Sequence, residues 1–346
     1  MDLEQLYRKV EALLSRIDFE EIWPGFRPLK FALYDNARCF FDGRYVEKTA
    51  EFCANSSIVY HGEQIAIWMV QEELELPVLS SKLVHEMFHG YQSLRGWSCW
   101  PNELEALYRY EYSTGNLSRK LRENELLLTL LDGCDEAAFR ELLAHKRLRS
   151  EQYPYEFSYE SKVEEIEGSA NYVEWQALKQ LDPEKAAALT GRMGAAMTKA
   201  ERLFPIRISC YFSGALLIHA LRGAGRYSFA PAERPLILAL LKDAAPSDGA
   251  FPEKERQDRE VSAAVAAFRA ESEAIVQKAL DKNEVVLRGP LELVGVNIYN
   301  ARRYRDYLTS TYFLMYRDEA GEGMLQGDFV IRMRDEKTIS AVYRWA

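Results

Sequence analysis

The sequence predicts an α+β protein, because the spacing of apolar residues changes twice along the chain. Short runs of β-branched and aromatic residues occupy positions 31–70, and apolar residues at helical spacing dominate from about Ser80 to Leu280. After Asn283 the strand-like runs return, separated by Gly, Asp and Glu. An N-terminal sheet, a large helical middle and a C-terminal antiparallel β unit therefore follow.

Composition places the chain among soluble globular proteins. Its 346 residues are 48% hydrophobic and 28% charged, which suits a sizeable core. The net charge of −9 repels phosphate backbones, so no nucleic-acid partner is expected. The one basic cluster, Arg302, Arg303 and Arg305, is interpreted as a solvated edge. No run approaches the roughly 18 apolar residues of a membrane helix, so no membrane partner is expected. The sequence carries no signal for an oligomeric state.

The cysteines predict a reducing location. They are scattered and odd in number, and none forms a C-x-x-C pair, so a thiolate zinc site is not expected. The first residues are charged throughout and lack the apolar segment of an export signal. Free thiols without an export signal predict a cytoplasmic protein. The five cysteines are Cys39, Cys53, Cys99, Cys134 and Cys210.

The chain is predicted to begin with an amphipathic helix and a group of strands. Apolar residues recur at helical spacing up to Ile17, and Pro24 and Gly25 follow as breakers. The predicted strand segments are 31–35, 37–41 and 56–70, of which the last reads as two strands around a turn at residues 61–62. The second of these, 64–70, is apolar on both faces and is therefore well covered.

Helices are predicted throughout the middle of the chain, with breaks at Gly, Pro and Asp clusters. Their predicted bounds are 80–95, 102–114, 117–131, 135–149, 157–181, 184–203, 206–222, 234–243 and 255–282. The segments that follow, from "EVVLRG" to "TISAVYRW", predict an antiparallel meander.

The stretch "KLVHEMFHGYQ" combines two histidines with a glutamate on the first long helix. His85 and His89 are four residues apart and therefore lie about 40° apart around the helix axis, so both rings can reach one ion. Glu86 points about 100° away from His85 and can reach a water on the same ion. This is the H-E-x-x-H arrangement, with two histidine ligands and a glutamate general base.

The remaining residues of this helix support a buried site. Leu83 and Met87 lie on the opposite, core-facing side, whereas Gln92 falls on the histidine side. A polar stripe on a largely buried helix needs partners. The alternative interpretation is a half-exposed helix that carries ordinary polar residues.

A catalytic zinc site needs a third protein ligand and an open position. In "KVEEIEGSANYVEWQAL", Glu167 lies about 40° from Val163 and so borders the apolar stripe of its helix, where a ligand is expected. Glu164 lies about 100° from Val163 and is expected to face solvent. Glu105 and Glu111 remain competing ligands on these grounds. Asn171 lies one turn after Glu167 and is expected to support a ligand by hydrogen bonding.

These two segments resemble the gluzincin branch of the zincin-fold metallopeptidases, the relatives of thermolysin and aminopeptidase N. The chain is most similar to predicted zinc peptidases in which "HExxHxxQ" precedes a helical insertion and then "EGxAxYxE". The resemblance implies a zincin-like fold that binds one Zn²⁺ per chain through His85, His89 and Glu167, with Glu86 as the base. Residues 90–166 separate the last histidine from the glutamate, a much longer interval than in well-known gluzincins. Asn171 stands where thermolysin-like proteins have an aspartate.

The resemblance also sets the expected organisation of the chain. The segment between the two motifs is interpreted as an inserted helical pair. The four expected parts are 1–96, with the N-terminal helix, sheet and H-E-x-x-H helix; 97–156, the helical insertion; 157–283, the helical part with the third ligand; and 284–346, the C-terminal β unit.

The function expected is zinc-dependent hydrolysis of an amide or peptide bond, with a peptide or protein as substrate. Tyr211, on the apolar helix "RISCYFSGALLIHAL", could donate a hydrogen bond to the oxyanion that develops, although core packing is the alternative interpretation. Strand 64–70 is expected at the edge of the sheet, where an extended peptide could pair with it. Two other functions stay open: a zincin-like zinc-binding protein with little or no turnover, and a zinc hydrolase of a non-peptide substrate.

The other histidines are not expected to bind metal. His219 is interpreted as a core residue, His61 as part of a turn, and His145 as part of a helix surface.

Overall fold

The chain is described by a computed structural model over residues 2–71, 74–133, 135–229 and 233–345. The α+β class is confirmed: an N-terminal sheet, a helical middle and a C-terminal antiparallel sheet follow one another. In these four ranges, no helix is both long enough and apolar enough to cross a bilayer. Cys134 lies outside the described residues.

The N-terminal part combines two helices with a five-stranded sheet. The helices are α1 (Leu3–Leu14) and α2 (Phe19–Ile22), and the strands are β1 (Phe31–Tyr34), β2 (Cys39–Phe41), β3 (Arg44–Val46), β4 (Ser56–Tyr60) and β5 (Glu63–Met69). The strand order is β3-β2-β1-β5-β4. Strands β1 and β5 are parallel, and the other neighbours are antiparallel.

The expected edge position of strand 64–70 is wrong. Strand β5 lies inside the sheet between β1 and β4, and β4 is the outer strand on that side. The reason is that β1 pairs in parallel with β5, which places β5 inside the sheet. The predicted turn at His61 and Gly62 joins β4 to the other side of β5 as a hairpin, so β4 is outermost.

In the described ranges the middle segment has nine α-helices, whose buried apolar side chains form two main clusters. The helices are α3 (Leu76–Leu94), α4 (Glu103–Arg109), α5 (Thr114–Thr129), α6 (Glu136–Gln152), α7 (Pro154–Leu181), α8 (Pro183–Met197), α9 (Ile206–Gly223), α10 (Ile237–Leu240) and α11 (Lys254–Lys282). The described part of residues 97–156 contains three complete helices rather than the expected pair. The predicted helix 184–203 ends at Met197, and a separate 3-10 turn covers Ala200–Leu203.

Helices α7 and α9 touch through their backbones. A Cβ atom placed on Gly168 would lie 2.5 Å from the Cα atom of Gly214, and a Cβ on Gly214 would lie 2.5 Å from the carbonyl oxygen of Glu164. Only glycine allows two helices to approach this closely. The contact fixes Glu167, which precedes Gly168, opposite the residues on the first turns of α9.

A buried network of charges joins α5, α6, α7 and α9. Glu164 is 3% exposed and therefore does not face solvent as expected. Its carboxylate accepts hydrogen bonds from Lys120, from Lys146 (3.0 Å) and from Ser213 (2.6 Å). Burial raises the pKa of Glu164, but the two lysines outweigh burial and hold it well below its usual value. Tertiary contacts thus reverse the orientation that the apolar stripe suggested.

The same network includes Arg149, and part of α6 is buried with it. Arg149 is fully buried, with Nη1 2.9 Å from Glu123 Oε2 and Nη2 donating to Glu160. His145, expected on a helix surface, is 1% exposed and packs edge-on against the ring of Phe251. Helix α6 is covered on this side by the segment that leads into α11, which the local sequence pattern did not indicate.

The C-terminal part is a separate antiparallel sheet, as predicted, and it has seven strands. Its strands are β6 (Val285–Val296), β7 (Arg302–Tyr304), β8 (Tyr307–Ser310), β9 (Phe313–Asp318), β10 (Gly321–Gln326), β11 (Phe329–Met333) and β12 (Thr338–Arg344). The order is β10-β9-β6-β12-β11-β8-β7, and all neighbours are antiparallel. Its core includes Leu308, Leu314 and Phe329, and Leu104 and Leu107 of α4 pack against it.

Replacement of Gly214 by alanine should destabilise the protein, because the added Cβ would meet backbone atoms that cannot move aside. Overpacking of this kind typically costs about 1–3 kcal/mol. The matched control is Gly191→Ala on the exposed face of α8, where nothing lies within 4 Å of the added Cβ. There the helix propensity of alanine should stabilise the protein by up to about 1 kcal/mol.

The free energy of unfolding, measured by urea titration, distinguishes the two variants. If Gly214→Ala were as stable as the unchanged protein, the backbone contact between α7 and α9 would not exist in solution.

Candidate metal centre

Three side chains from two helices converge on one point. Helix α3 supplies His85 and His89, and α7 supplies Glu167. The two Nε2 atoms are 3.1 Å apart, and Glu167 Oε2 lies 3.1 Å from His89 Nε2 and 3.6 Å from His85 Nε2. Ligands about 2.0–2.1 Å from a tetrahedral zinc would be separated by about 3.3–3.4 Å. Within the described ranges, this is the one group of His, Cys, Asp and Glu side chains close enough to share an ion.

Packing of α3 against the core orients both histidines. The helix begins just after Glu75, with Pro77 in its first turn, where a missing N–H costs nothing. Leu83, Val84, Met87 and Phe88 are fully buried on the core side. The polar stripe is thereby directed towards α7, as the helical spacing predicted.

Gln92 sets the tautomer of His89. Its Oε1 lies 2.8 Å from His89 Nδ1, and since an amide oxygen can only accept, Nδ1 must carry the hydrogen. The amide is itself oriented, because Nε2 of Gln92 donates to the Ile166 carbonyl (2.9 Å) and to Ser169 Oγ (2.9 Å). The lone pair of His89 is therefore on Nε2, directed at the point of convergence.

Glu174 lies beside Nδ1 of His85, as Gln92 lies beside Nδ1 of His89. Its Oε2 lies 3.2 Å from His85 Nδ1, a contact whose alignment falls short of a good hydrogen bond. Lys82 approaches the other oxygen at 3.4 Å. Asn171, expected in this supporting position, instead donates to the Tyr211 carbonyl (3.2 Å). Glu174 can take the supporting position expected for Asn171, because it lies two helical turns after Glu167 and only about 20° from it around the helix axis.

Arg207 holds the remaining oxygen of Glu167. Its Nη2 lies 2.6 Å from Glu167 Oε1 and 3.1 Å from the Tyr211 hydroxyl, while Nη1 donates to Glu103. Burial raises the pKa of Glu167, but His89, His85 and Arg207 outweigh it and hold the pKa well below its usual value. Glu167 is therefore ionised and has Oε2 free for a cation.

The competing glutamates do not reach this cluster. Glu105 forms an ion pair with Arg109 one turn away on α4 (2.5 Å). Glu111 is exposed beyond the end of the same helix. Neither joins the group of side chains that could share an ion.

A cleft of about 270 Å³ opens beside the convergence point. Glu86 lies in its wall next to both histidines. Burial raises the pKa of the Glu86 carboxyl above its usual value, while His85 and His89 act in the opposite direction. Ser56 and Ser57 of the edge strand β4 form part of the same wall.

Two tyrosines meet above His85. The rings of Tyr211 and His85 are nearly parallel, with centroids 6.2 Å apart, and the Tyr211 hydroxyl lies 3.1 Å from that of Tyr299. Burial raises the pKa of Tyr211, so its hydroxyl stays protonated. Tyr299 belongs to the connection between β6 and β7, and the C-terminal unit thus contributes to the cleft.

Sequence reasoning missed several of these contacts. Gln92 and Glu174 both carry a positional signal, since each falls on the same helix face as a predicted ligand. Arg207 lies one turn before Tyr211 on α9, so its proximity follows only once that tyrosine is placed. Tyr299 has no local signal, because its position depends on how the C-terminal sheet packs.

The donor set fits a divalent cation of the zinc type. Burial disfavours a charged ring at His85, yet Glu167 and Glu174 outweigh burial and raise the pKa of His85 to about 10. The surroundings thus favour positive charge at the convergence point. Two imidazoles with one carboxylate are the donors of many catalytic zinc sites.

Comparison with known proteins finds no match: no family model, no curated protein and no solved structure is significantly similar to the chain. The resemblance to gluzincins therefore stays a prediction that rests on two short segments.

We expect the purified protein to bind about one zinc ion per chain, and His89→Ala to abolish this stoichiometric binding. Loss of one of three ligands removes both a bond and the geometry of the site. Metal analysis after gel filtration measures the stoichiometry. A zinc content that is the same in His89→Ala and the unchanged protein would exclude the proposed ligand set.

Glu174→Gln should weaken zinc binding by about 10-fold or more, because partners that hold a ligating histidine typically contribute 10–100-fold to affinity. The matched control is Glu105→Gln, which removes a carboxylate on α4 outside the cluster. Competition with a chromogenic chelator measures both affinities. Equal affinities for the two variants would show that Glu174 does not support the ligand.

Proposed function

We propose that the chain is a zinc-dependent metallopeptidase of the zincin type, which hydrolyses amide or peptide bonds. The observation that carries this proposal is the convergence of two Nε2 atoms and one carboxylate oxygen beside Glu86 in an open cleft. His85, His89 and Glu167 would hold the metal. When bound, zinc supplies a Lewis acid that polarises a carbonyl group and makes a coordinated water acidic near neutral pH.

Glu86 is proposed as the general base. Its carboxylate lines the cleft next to the ligands without belonging to the converging group. A carboxylate whose pKa is raised by burial is better matched to proton transfer near neutral pH than an ordinary glutamate. It would accept a proton from the attacking water and return it to the leaving amine.

Tyr211 is proposed to stabilise the negative charge that develops on the carbonyl oxygen. A protonated hydroxyl held by fixed neighbours is the kind of donor that such an oxygen requires. Arg207 and Tyr299 both lie 3.1 Å from this hydroxyl. Arg207 also binds Glu167, so one guanidinium orients both a ligand and the hydrogen-bond donor.

A peptide is the proposed substrate because an unpaired strand edge borders the cleft. Strand β4 pairs with β5 on one side only among the described strands. Its residues Ser56 and Ser57 line the cleft together with Glu86. An extended peptide can pair with such an edge through backbone hydrogen bonds, which positions a peptide bond without selecting its side chains.

Enzymatic turnover is favoured over simple zinc binding by two residues that retention of a metal does not need. These are Glu86, with its raised pKa, and the protonated Tyr211. A cytoplasmic location is part of the proposal, since the cysteines in the described ranges are all free thiols.

Glu86→Gln should retain the fold and the zinc but lose hydrolysis of any peptide that the unchanged protein cleaves. The amide still accepts a hydrogen bond from water but cannot take its proton, and loss of a general base typically costs about 10²–10⁴-fold. Glu86→Asp keeps the charge but withdraws it by one methylene, so a smaller loss is expected.

Initial rates on a peptide-library hit, measured together with zinc content, check this expectation, and Glu105→Gln again serves as the control. If Glu86→Gln cleaves the peptide as fast as the unchanged protein, Glu86 is not the base. If the zinc-loaded protein cleaves no member of a broad library, the proposal of a peptidase is wrong.

A further inference from the structure

A second, larger cavity lies where the C-terminal sheet meets the helical middle. Its volume is about 440 Å³, compared with about 270 Å³ for the cleft at the metal centre. Its walls come from α4, the first turn of α9, α11 and the β6–β7–β8 region. A volume of this size is typical of a small-molecule site.

Arginines dominate the charge of this cavity. The five lining arginines are Arg207, Arg269, Arg302, Arg303 and Arg305, whereas the lining carboxylates are those of Glu103 and Glu111. Such an excess of positive charge stands out in a chain whose net charge is −9. The basic cluster that the sequence assigned to a solvated edge therefore faces a concave surface.

Three of these guanidinium groups lack a carboxylate partner within the described ranges. Arg302 pairs with Glu271 (2.6 Å), and Arg207 pairs with Glu103 and Glu167. By contrast, the hydrogen bonds of Arg269 and Arg303 go to backbone carbonyl groups. No ion pair of Arg305 occurs in this part of the structure either. A cavity with unpaired guanidinium groups attracts anions.

Aromatic rings hold two of the guanidinium groups in place. Arg302 lies over the ring of Phe268, 4.7 Å from its centroid, and Arg303 lies over Tyr108 at 4.8 Å. Stacking occupies a face of each guanidinium and leaves N–H groups at the edge, which is the geometry that binds carboxylate or phosphate. Tyr112 packs against Phe268 at 5.1 Å and extends the aromatic wall.

Arg207 provides a further, independent sign of a missing acceptor. It is 6% exposed and lines the cavity, and its Nε is buried without a hydrogen-bond partner among the described residues. A buried charged donor without an acceptor is costly unless a ligand or water supplies one.

We propose that this cavity is a second ligand site, which binds a small aromatic molecule that carries a carboxylate or phosphate group. The exposed Arg269, Arg303 and Arg305 bind the anionic group, and the rings of Tyr108, Tyr112 and Phe268 contact the apolar part. Binding does not require zinc, because no residue of the converging group lines this cavity. The two sites share Arg207, which lines this cavity and also binds Glu167, but they share no metal ligand.

Calorimetric titration in the presence of a chelator tests the proposal and keeps any metal from binding the probe. The probes are phenyl phosphate and phenylacetate, with benzyl alcohol as the neutral analogue and benzylamine as the cationic one. We expect at least one of the two anions to bind with a dissociation constant of about 1 mM or lower. Which one binds more tightly identifies the anionic group. Inorganic phosphate should bind about 10-fold more weakly than phenyl phosphate, because it lacks the ring.

Arg269→Gln and Arg303→Gln should each weaken binding of the anion by about 10-fold, the usual effect of losing one charge-assisted hydrogen bond. The control is Arg317→Gln, on the exposed face of β9 far along the sheet, where the guanidinium is already paired with Glu292 and Glu322. Arg269 is exposed and makes one long hydrogen bond of 3.4 Å, so its variant tests the site without disturbing the fold.

Three results would each overturn the proposal. The first is the failure of both anions to bind at about 1 mM, and the second is binding of benzylamine as tight as that of the anions. The third is unchanged affinity in Arg269→Gln and Arg303→Gln. Because zinc is removed throughout, none of these results bears on the peptidase proposal.

Discussion

The neutralisation of carboxylates buried along α7 is the constraint on which the rest of the structure depends. Glu160, Glu164, Glu167 and Glu174 are each less than 9% exposed on this one helix. A buried carboxylate is tolerated only when a cation or several hydrogen bonds compensate it. Their partners come from α3, α5, α6 and α9, so the requirement for neutrality determines which helices surround α7 and how closely they approach it.

The carboxylates in the two halves of α7 are neutralised in different ways. The first half belongs to the buried charge network, and the second half contributes to the candidate metal centre. In the first half, lysine and arginine side chains form ion pairs with Glu160 and Glu164. In the second half, His85 and His89 lie beside Glu167, and His85 also lies beside Glu174. Glu167 thus lies between the permanently charged Arg207 and the two histidines of the candidate metal centre.

The sequence predicted the class, both sheets and most helices, because each depends on the spacing of apolar residues within a short segment. It also placed His85, His89 and Glu167 on facing helix sides, and these side chains do converge. It failed where distant parts of the chain decide the outcome. Glu164 was assigned to solvent because a helical-wheel projection of α7 shows a single apolar stripe. In the structure, Lys120 of α5 and Lys146 of α6 cover the helix face that carries Glu164. The order of β4 and β5 likewise depends on the pairing of β5 with the distant strand β1, which strand composition does not reveal.

The position of Tyr299 has a consequence for how such a cleft can diverge between related proteins. The tyrosine belongs to a connection in the C-terminal sheet, so the position of its hydroxyl depends on how that sheet packs against the helices. Substitutions in the interface between sheet and helices, around Leu104 and Leu107, would change the width of the cleft without altering any residue that lines it. Selection for a new substrate could then act on residues remote from the ligands, while the buried charges of α7 keep the centre itself unchanged.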